Sequence, residues 1–180
     1  MEEYRELLAD LKAREDIRAL MARYCHGIDR CDAEMVKSCF FEDAIDDHGF
    51  FVGSAHVFAD QAVQRLVDLY DNTCHHMTTH LAVIDGEVAH CETYILALSR
   101  AERDGRRFDV TFSARYLDRV ERRDGAWRIA HRILVDDGRR SDPLPEETPP
   151  AAVVKRGGRA PDDPGHVFLQ DAHRQTGEST

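Results

Sequence analysis

An α+β fold is predicted for this 180-residue chain, helices first and then one long antiparallel sheet. Three observations predict it. Asp-Gly pairs recur almost evenly, at Asp85-Gly86, Asp104-Gly105 and Asp124-Gly125. The segments between them are rich in β-branched and aromatic residues. The half of the chain before them carries apolar residues at helical spacing. Asp-Gly suits the left-handed backbone of a type I′ turn, whose twist matches a two-stranded hairpin. Three such turns in a row describe a meander of four long strands.

The elements follow in order. Residues 3–28 read as a helix, because Tyr4, Leu7, Leu8, Leu11, Ile17, Leu20, Met21, Tyr24 and Ile28 recur at helical spacing and Gly27 sits near the end. A short helix is predicted over about 33–40, with Asp32 as N-cap. Residues 44–53 read as two short strands around Asp46-Asp47. A third helix is predicted from about Ser54 to Tyr70, with Val57, Phe58, Val63, Leu66, Val67 and Tyr70 apolar. The meander strands fall at about 74–84, 87–102, 107–121 and 126–136. Strands this long should coil and carry bulges. All six prolines follow residue 142, so the folded domain is expected to span 1–142 and an extended Pro-rich tail 143–180. Val167, Phe168 and Leu169 form a compact apolar cluster in the tail, suited to docking on a neighbour or covering a pocket.

Composition narrows the function. A net charge of -10 disfavours nucleic acid, whose phosphates repel an acidic surface. The arginine clusters at Arg100–Arg107 and Arg119–Arg123 are interleaved with acids and read as solvated hairpin ends. No apolar run approaches the ~18 residues of a membrane span. The acidic, amphipathic start is unlike a signal peptide. The five cysteines are odd in number and form no C-x-x-C, which fits reduced thiols and a cytoplasmic location. Walker, G-x-G-x-x-G, G-x-S-x-G and H-E-x-x-H motifs are absent.

Candidate chemistry falls on a few residues. His76 and His80 would share one face of a helix. Thr78, Thr79, Val83 and Ile84 argue for a strand instead, which separates the two by about 13 Å at ~3.3 Å per residue. No metal site is expected there. His80 is the leading candidate, although a strand histidine taken alone is more often structural. Asp29 follows the first helix at its negative end, where a carboxylate is disfavoured. Asp32 serves better as N-cap, so Asp29 is free to hold a charged partner. Tyr24 lies one turn earlier on the apolar face, a core tyrosine unless its hydroxyl meets a cavity. On the last strand Trp127, Ile129, His131, Ile133 and Val135 alternate onto one face, and Arg132 takes the other. A bulge would exchange the two. Asp109, Thr111, Ser113 and Arg115 form a polar face opposite Phe108, Val110 and Phe112.

The stretch Arg14–Asp142 resembles the SnoaL-like group of the nuclear-transport-factor-2-like superfamily, a cone-shaped barrel of curved sheet packed on three N-terminal helices. The resemblance is carried by Arg23-Tyr24 through Asp29, by His76-Met77-Thr78-Thr79-His80, and by Arg115-Tyr116-Leu117-Asp118 running into Arg123-Asp124-Gly125-Ala126-Trp127-Arg128-Ile129-Ala130-His131-Arg132. The group includes scytalone dehydratase, bile-acid 7α-dehydratase and hexachlorocyclohexane dehydrochlorinase. It implies that Asp29 hydrogen-bonds His80 as a catalytic pair, that Tyr24 is a pocket tyrosine, and that Arg132 falls near a pocket arginine. Apolar residues around Ala97–Leu98 stand where the bile-acid enzyme has an acid.

The expected function is a cofactor-free lyase or isomerase acting on a hydrophobic aromatic, polyketide-like or steroid-like molecule. His80 would take a proton, Asp29 would fix its tautomer, Tyr24 would stabilise developing charge, and His131 would protonate the leaving group. Arg132, Arg115, Ser113 and His76 would contact substrate. A homotrimer or homodimer is expected from an apolar sheet face that includes Phe108, Val110 and Phe112. The superfamily also holds non-catalytic binders and small subunits of aromatic-ring oxygenases, which keeps both readings open.

Overall fold

The computed structural model describes residues 1–145 and 155–176, with side chains described as far as 172. Helix α1 (Glu2–Arg30) opens the chain, followed by α2 (Ala33–Ser38), strands β1 (Phe40–Asp47) and β2 (Val52–Ser54), and helix α3 (Ala55–Leu69). Four long strands come next: β3 (Asn72–Asp85), β4 (Val88–Arg103), β5 (Arg106–Arg123) and β6 (Ala126–Pro143). Helix α4 (Pro164–Thr176) ends the described chain. The strands form one sheet in the order β2-β1-β6-β5-β4-β3, antiparallel except where β1 runs parallel to β6. None of the described helices is long and apolar enough to cross a membrane.

The meander stands as expected, but its turns are of two kinds. Asp104-Gly105 and Asp124-Gly125 hold positive φ at both residues, as a type I′ turn demands. Asp85 instead pairs with Val88 as the last residue of β3, and Gly86-Glu87 make the turn with positive φ at Gly86 alone. That is the type II′ pattern. Bulges interrupt the meander strands: one in β3 between Met77 and His80, one opposite Arg119/Val120 where β6 passes Ala130, and one opposite Ser113/Ala114 where β6 passes Asp137. Each shifts the alternation of faces by one residue.

The concave face of the sheet packs on α1. Ile17, Leu20, Met21, Tyr24 and Ile28 meet Ala89, Cys91, Ile95, Trp127 and Ile129 in one buried core. Asp32 caps α2 by accepting a hydrogen bond from the Met35 N–H at 3.0 Å. The face carrying Val110 and Phe112 is this inner one: Val110 is buried and Phe112 packs against the core. The expectation that these residues form an exposed face is corrected. The exposed apolar face is the convex one, with Leu81, Val83, Tyr94, Leu96, Leu98 and Ile133.

The C-terminal segment is not purely extended. Asp163 caps α4 by accepting from the Gly165 and His166 N–H groups. Its other oxygen receives Arg30 at 2.7 Å and the Gly158 N–H at 2.8 Å. The guanidinium of Arg159 donates to the carbonyls of Asp29 and Tyr70 and to the Thr73 hydroxyl. This segment therefore straps across the end of α1 and the start of β3. Val167, Phe168 and Leu169 lie exposed on α4. Pro149 and Pro150 lie outside the described residues.

Candidate active site

Asp29 sits in the last turn of α1, which ends at Cys31 in a left-handed cap. The helix dipole disfavours a carboxylate there. Two donors from one residue compensate. Asp29 Oδ2 accepts from the backbone N–H of His75 at 2.7 Å, and Oδ1 lies 2.6 Å from His75 Nδ1. Burial pushes the Asp29 carboxyl up, but the His75 imidazole and N–H, with the Arg30 charge, outweigh it and hold the carboxyl below its ordinary value. An ionised Asp29 fixes the proton of His75 on Nδ1 and leaves Nε2 as the free nitrogen.

His75 lines a cavity of about 780 Å³. Tyr24, Ile28, Phe58, Tyr70, Ile95 and Phe112 share its wall, which is mostly apolar and aromatic. Behind Tyr24 lies Arg132, fully buried and bound to both oxygens of Asp118 at 2.7 and 2.8 Å. Its guanidinium is sandwiched 4.0 Å from the Tyr24 ring and 3.9 Å from the Tyr116 ring. Burial pushes both tyrosine hydroxyls up while Arg132 opposes it, so they stay protonated and can act as donors.

The predicted pairing of Asp29 with His80 is not formed; His75 is the partner. His80 shares the inner face, because the bulge after Met77 resets the alternation, but it lies farther along β3 beside Thr93, whose hydroxyl is 2.8 Å from its Nδ1. Burial holds its imidazole below the ordinary value, partly opposed by Asp118. It does not line the cavity. His131 is likewise corrected. The bulge at Ala130 turns Arg132 inward and His131 outward, into a shallow convex groove with Leu81, Val83 and His90. Arg115 is on that convex side, paired with Glu92 and Asp137. Ser113 and His76 are exposed, and His76 Nε2 lies 3.5 Å from Cys74 Sγ. None of these three reaches the cavity. Tyr24 does, and Arg132 supports it from behind.

One cavity residue and the buried partner behind it escaped the sequence reading. His48, one residue past β1, lines the cavity and pairs through Nδ1 with Asp46, which is fully buried. Asp46 faces inward because β1 pairs with β6 in the register Asp46 to Arg132. Burial pushes the Cys25 and Cys91 thiols up to about 12 and Cys39 to about 11, so none is poised as a nucleophile. Among the described residues no group of three or more His, Cys, Asp or Glu converges as a metal site would require.

Residues 9–133 match the SnoaL-like domain family. The chain belongs to that family. Solved structures share the SnoaL-like fold. A Mycobacterium tuberculosis protein of unknown function is 27% identical, over 73% of this chain and 75% of that one, with a TM-score of 0.62. A hexachlorocyclohexane dehydrochlorinase of type 2 is 22% identical over 80% and 98%, with a TM-score of 0.69. A putative scytalone dehydratase from Novosphingobium aromaticivorans is 20% identical over 81% and 97%, with a TM-score of 0.65. No curated protein matches the sequence significantly.

Proposed function

We propose that this SnoaL-like protein is a cofactor-free lyase of the elimination type, acting on a hydrophobic aromatic ketone or a similar molecule. One observation carries the reading: Asp29 holds His75 Nδ1 at 2.6 Å while the same imidazole lines an aromatic cavity. A carboxylate on one ring nitrogen raises the basicity of the other and stabilises the imidazolium that forms. His75 Nε2 takes a proton from the carbon beside a carbonyl. Tyr24, kept protonated by burial, donates to the oxygen on which charge develops. Arg132 fixes the Tyr24 ring from behind. A dehydrochlorinase and a putative dehydratase among the structural neighbours lend support, since both names describe eliminations. We also propose that copies associate through the convex apolar face.

The test is proton exchange at the α-carbon of 1-tetralone in D₂O, followed by proton NMR. Wild type should catalyse exchange, and His75→Asn and Asp29→Asn should each lower it by about 10²–10⁴. Binding of 1-tetralone without exchange would favour a ligand-binding module instead.

A further inference from the structure

The Asp29–His75 pair joins the end of α1 to the start of β3, and a helix and a strand share no backbone ladder to fix their spacing. β3 is an edge strand, and its Thr73 carbonyl and His75 N–H are met by α1 side chains instead of a neighbouring strand. Arg30 donates to the Thr73 carbonyl at 3.2 Å, and Asp29 Oδ2 accepts from the His75 N–H at 2.7 Å. With Oδ1 2.6 Å from His75 Nδ1, the pair is closely fitted. Moving the two elements apart by about 1 Å would take both Asp29 contacts past hydrogen-bond length.

The C-terminal segment meets this junction from behind. A helix end leaves carbonyls to satisfy. In α1 the Asp32 and Cys31 N–H groups donate to the Gly27 and Ile28 carbonyls at 2.9 and 3.2 Å. The next two carbonyls go to the segment. The Ala160 N–H donates to that of Arg30 at 2.7 Å, and Arg159 Nη1 donates to that of Asp29 at 3.0 Å. The same nitrogen donates to the hydroxyl of Thr73 at 3.1 Å, a buried residue two before His75 on the inner face of β3. Nη2 donates to the carbonyls of Tyr70 at 3.0 Å and Leu66 at 3.5 Å, at the end of α3, and both residues line the cavity. One planar guanidinium thus bridges the residue that carries the carboxylate and the strand that carries the imidazole. Its rigid fork can serve four acceptors at once, which a lysine ammonium on a flexible stem does poorly.

We propose that Arg159 is a positioning residue for the Asp29–His75 base, setting the spacing of α1 and β3 at which both hydrogen bonds of Asp29 to His75 form. The inference rests on the proposed base. Arg159 does not line the cavity, so it acts through the pair and not on the substrate. It also lies beyond residues 9–133, which match the family, so the clamp is supplied by this chain's own C-terminal segment. A guanidinium that served only to dock the segment could be lost with the pair still in place.

Two readings on the full-length protein test this. The first, without substrate, is hydrogen exchange of the His75 backbone amide, followed by NMR. The second is α-exchange of 1-tetralone over a range of concentrations, which separates kcat from KM. In Arg159→Ala, protection of the His75 amide should fall about 10-fold or more. The kcat should fall by about 10–10² while KM changes little, as expected when a reacting group is misplaced but the cavity is kept. Guanidinium ion at millimolar concentration should restore part of the lost kcat in Arg159→Ala, and sodium ion should not. Added to His75→Asn, the Arg159→Ala change should cost nothing further, because it acts through the pair. Wild-type His75 protection and kcat in Arg159→Ala would overturn the inference while leaving the base intact. So would a rise in KM alone, or an equal loss with and without His75. A wild type inert toward 1-tetralone would remove the base itself, and the positioning role with it. Should Arg159→Ala not fold, Arg159→Lys takes its place, with a partial loss of both readings expected; wild-type values of both would overturn the inference.

Discussion

Replacing Asp163 with Asn is expected to loosen the C-terminal strap by about 2 kcal/mol without unfolding the cone. An asparagine can still cap α4 through its single carbonyl oxygen, because Asn is a good N-cap. It cannot accept from both Arg30 and the Gly158 N–H at the position of Oδ2, where an amide donor would face two donors. Burial alone pushes the Asp163 carboxyl up, yet the Gly158 and His166 N–H groups and Arg30 bring it from the ordinary 3.8 to about 2. Each unit is worth about 1.4 kcal/mol, which sets the magnitude near 2 kcal/mol. The pH window follows from the sign. A depressed carboxyl contributes stability above its unfolded value, and that contribution is lost as pH falls from 3.8 through about 2. The assay is amide hydrogen exchange over residues 155–172. At neutral pH, protection there should fall about 30-fold in the variant while β4 and β5 keep theirs. The segment's acid-induced release should also vanish as a distinct step. Unchanged protection of the segment, or a loss spread equally over the sheet, would refute the reasoning.

Three further outcomes are expected. Arg132→Met leaves Asp118 buried and unpaired and should cost about 3–5 kcal/mol in denaturant unfolding, most of it restored by adding Asp118→Leu. His80→Gln should keep α-exchange near wild type. The His80 imidazole is held low, so protonation below its unfolded value opposes folding, and the variant's melting temperature should fall less than wild type's between about pH 7 and about pH 5. On the convex face, Leu96→Glu should shift sedimentation of an oligomeric wild type toward monomer at micromolar concentration; a wild type already monomeric there contradicts association through that face.

What the sequence disclosed was local. Asp-Gly turns, helical spacing and the Asp32 cap depend on a few neighbouring residues, and the long helices and meander strands stand close to where those residues put them; β1 starts earlier than expected, at Phe40, where a helix end was predicted, and the first Asp-Gly pair turns one residue later than expected. The bulges depend on cross-strand register. One at Thr78-Thr79 brought His80 onto the same face as His75, and one at Ala130 exchanged His131 for Arg132. Strict alternation could see neither. The unmet charge of Asp29 was readable, but its partner was misassigned because the end of α1 meets the start of β3, not its middle. His48 gave no periodic signal, being one residue beyond a strand, and the burial of Asp46 comes from the parallel pairing of β1 with β6. In the tail, Asp163-Pro164 is a legible helix start, a capping residue followed by proline at the first helical position. The prolines around it read as extended chain and hid that start.

The central claim is that Asp29 and His75 act as one unit. The direct measurement is the α-exchange rate of 1-tetralone for Asp29→Asn, His75→Asn and the double variant under one set of conditions. Each single change should cost most of the rate, and the double variant should cost little more, because coupled catalytic residues are not additive. Losses that multiply in the double variant would contradict the account.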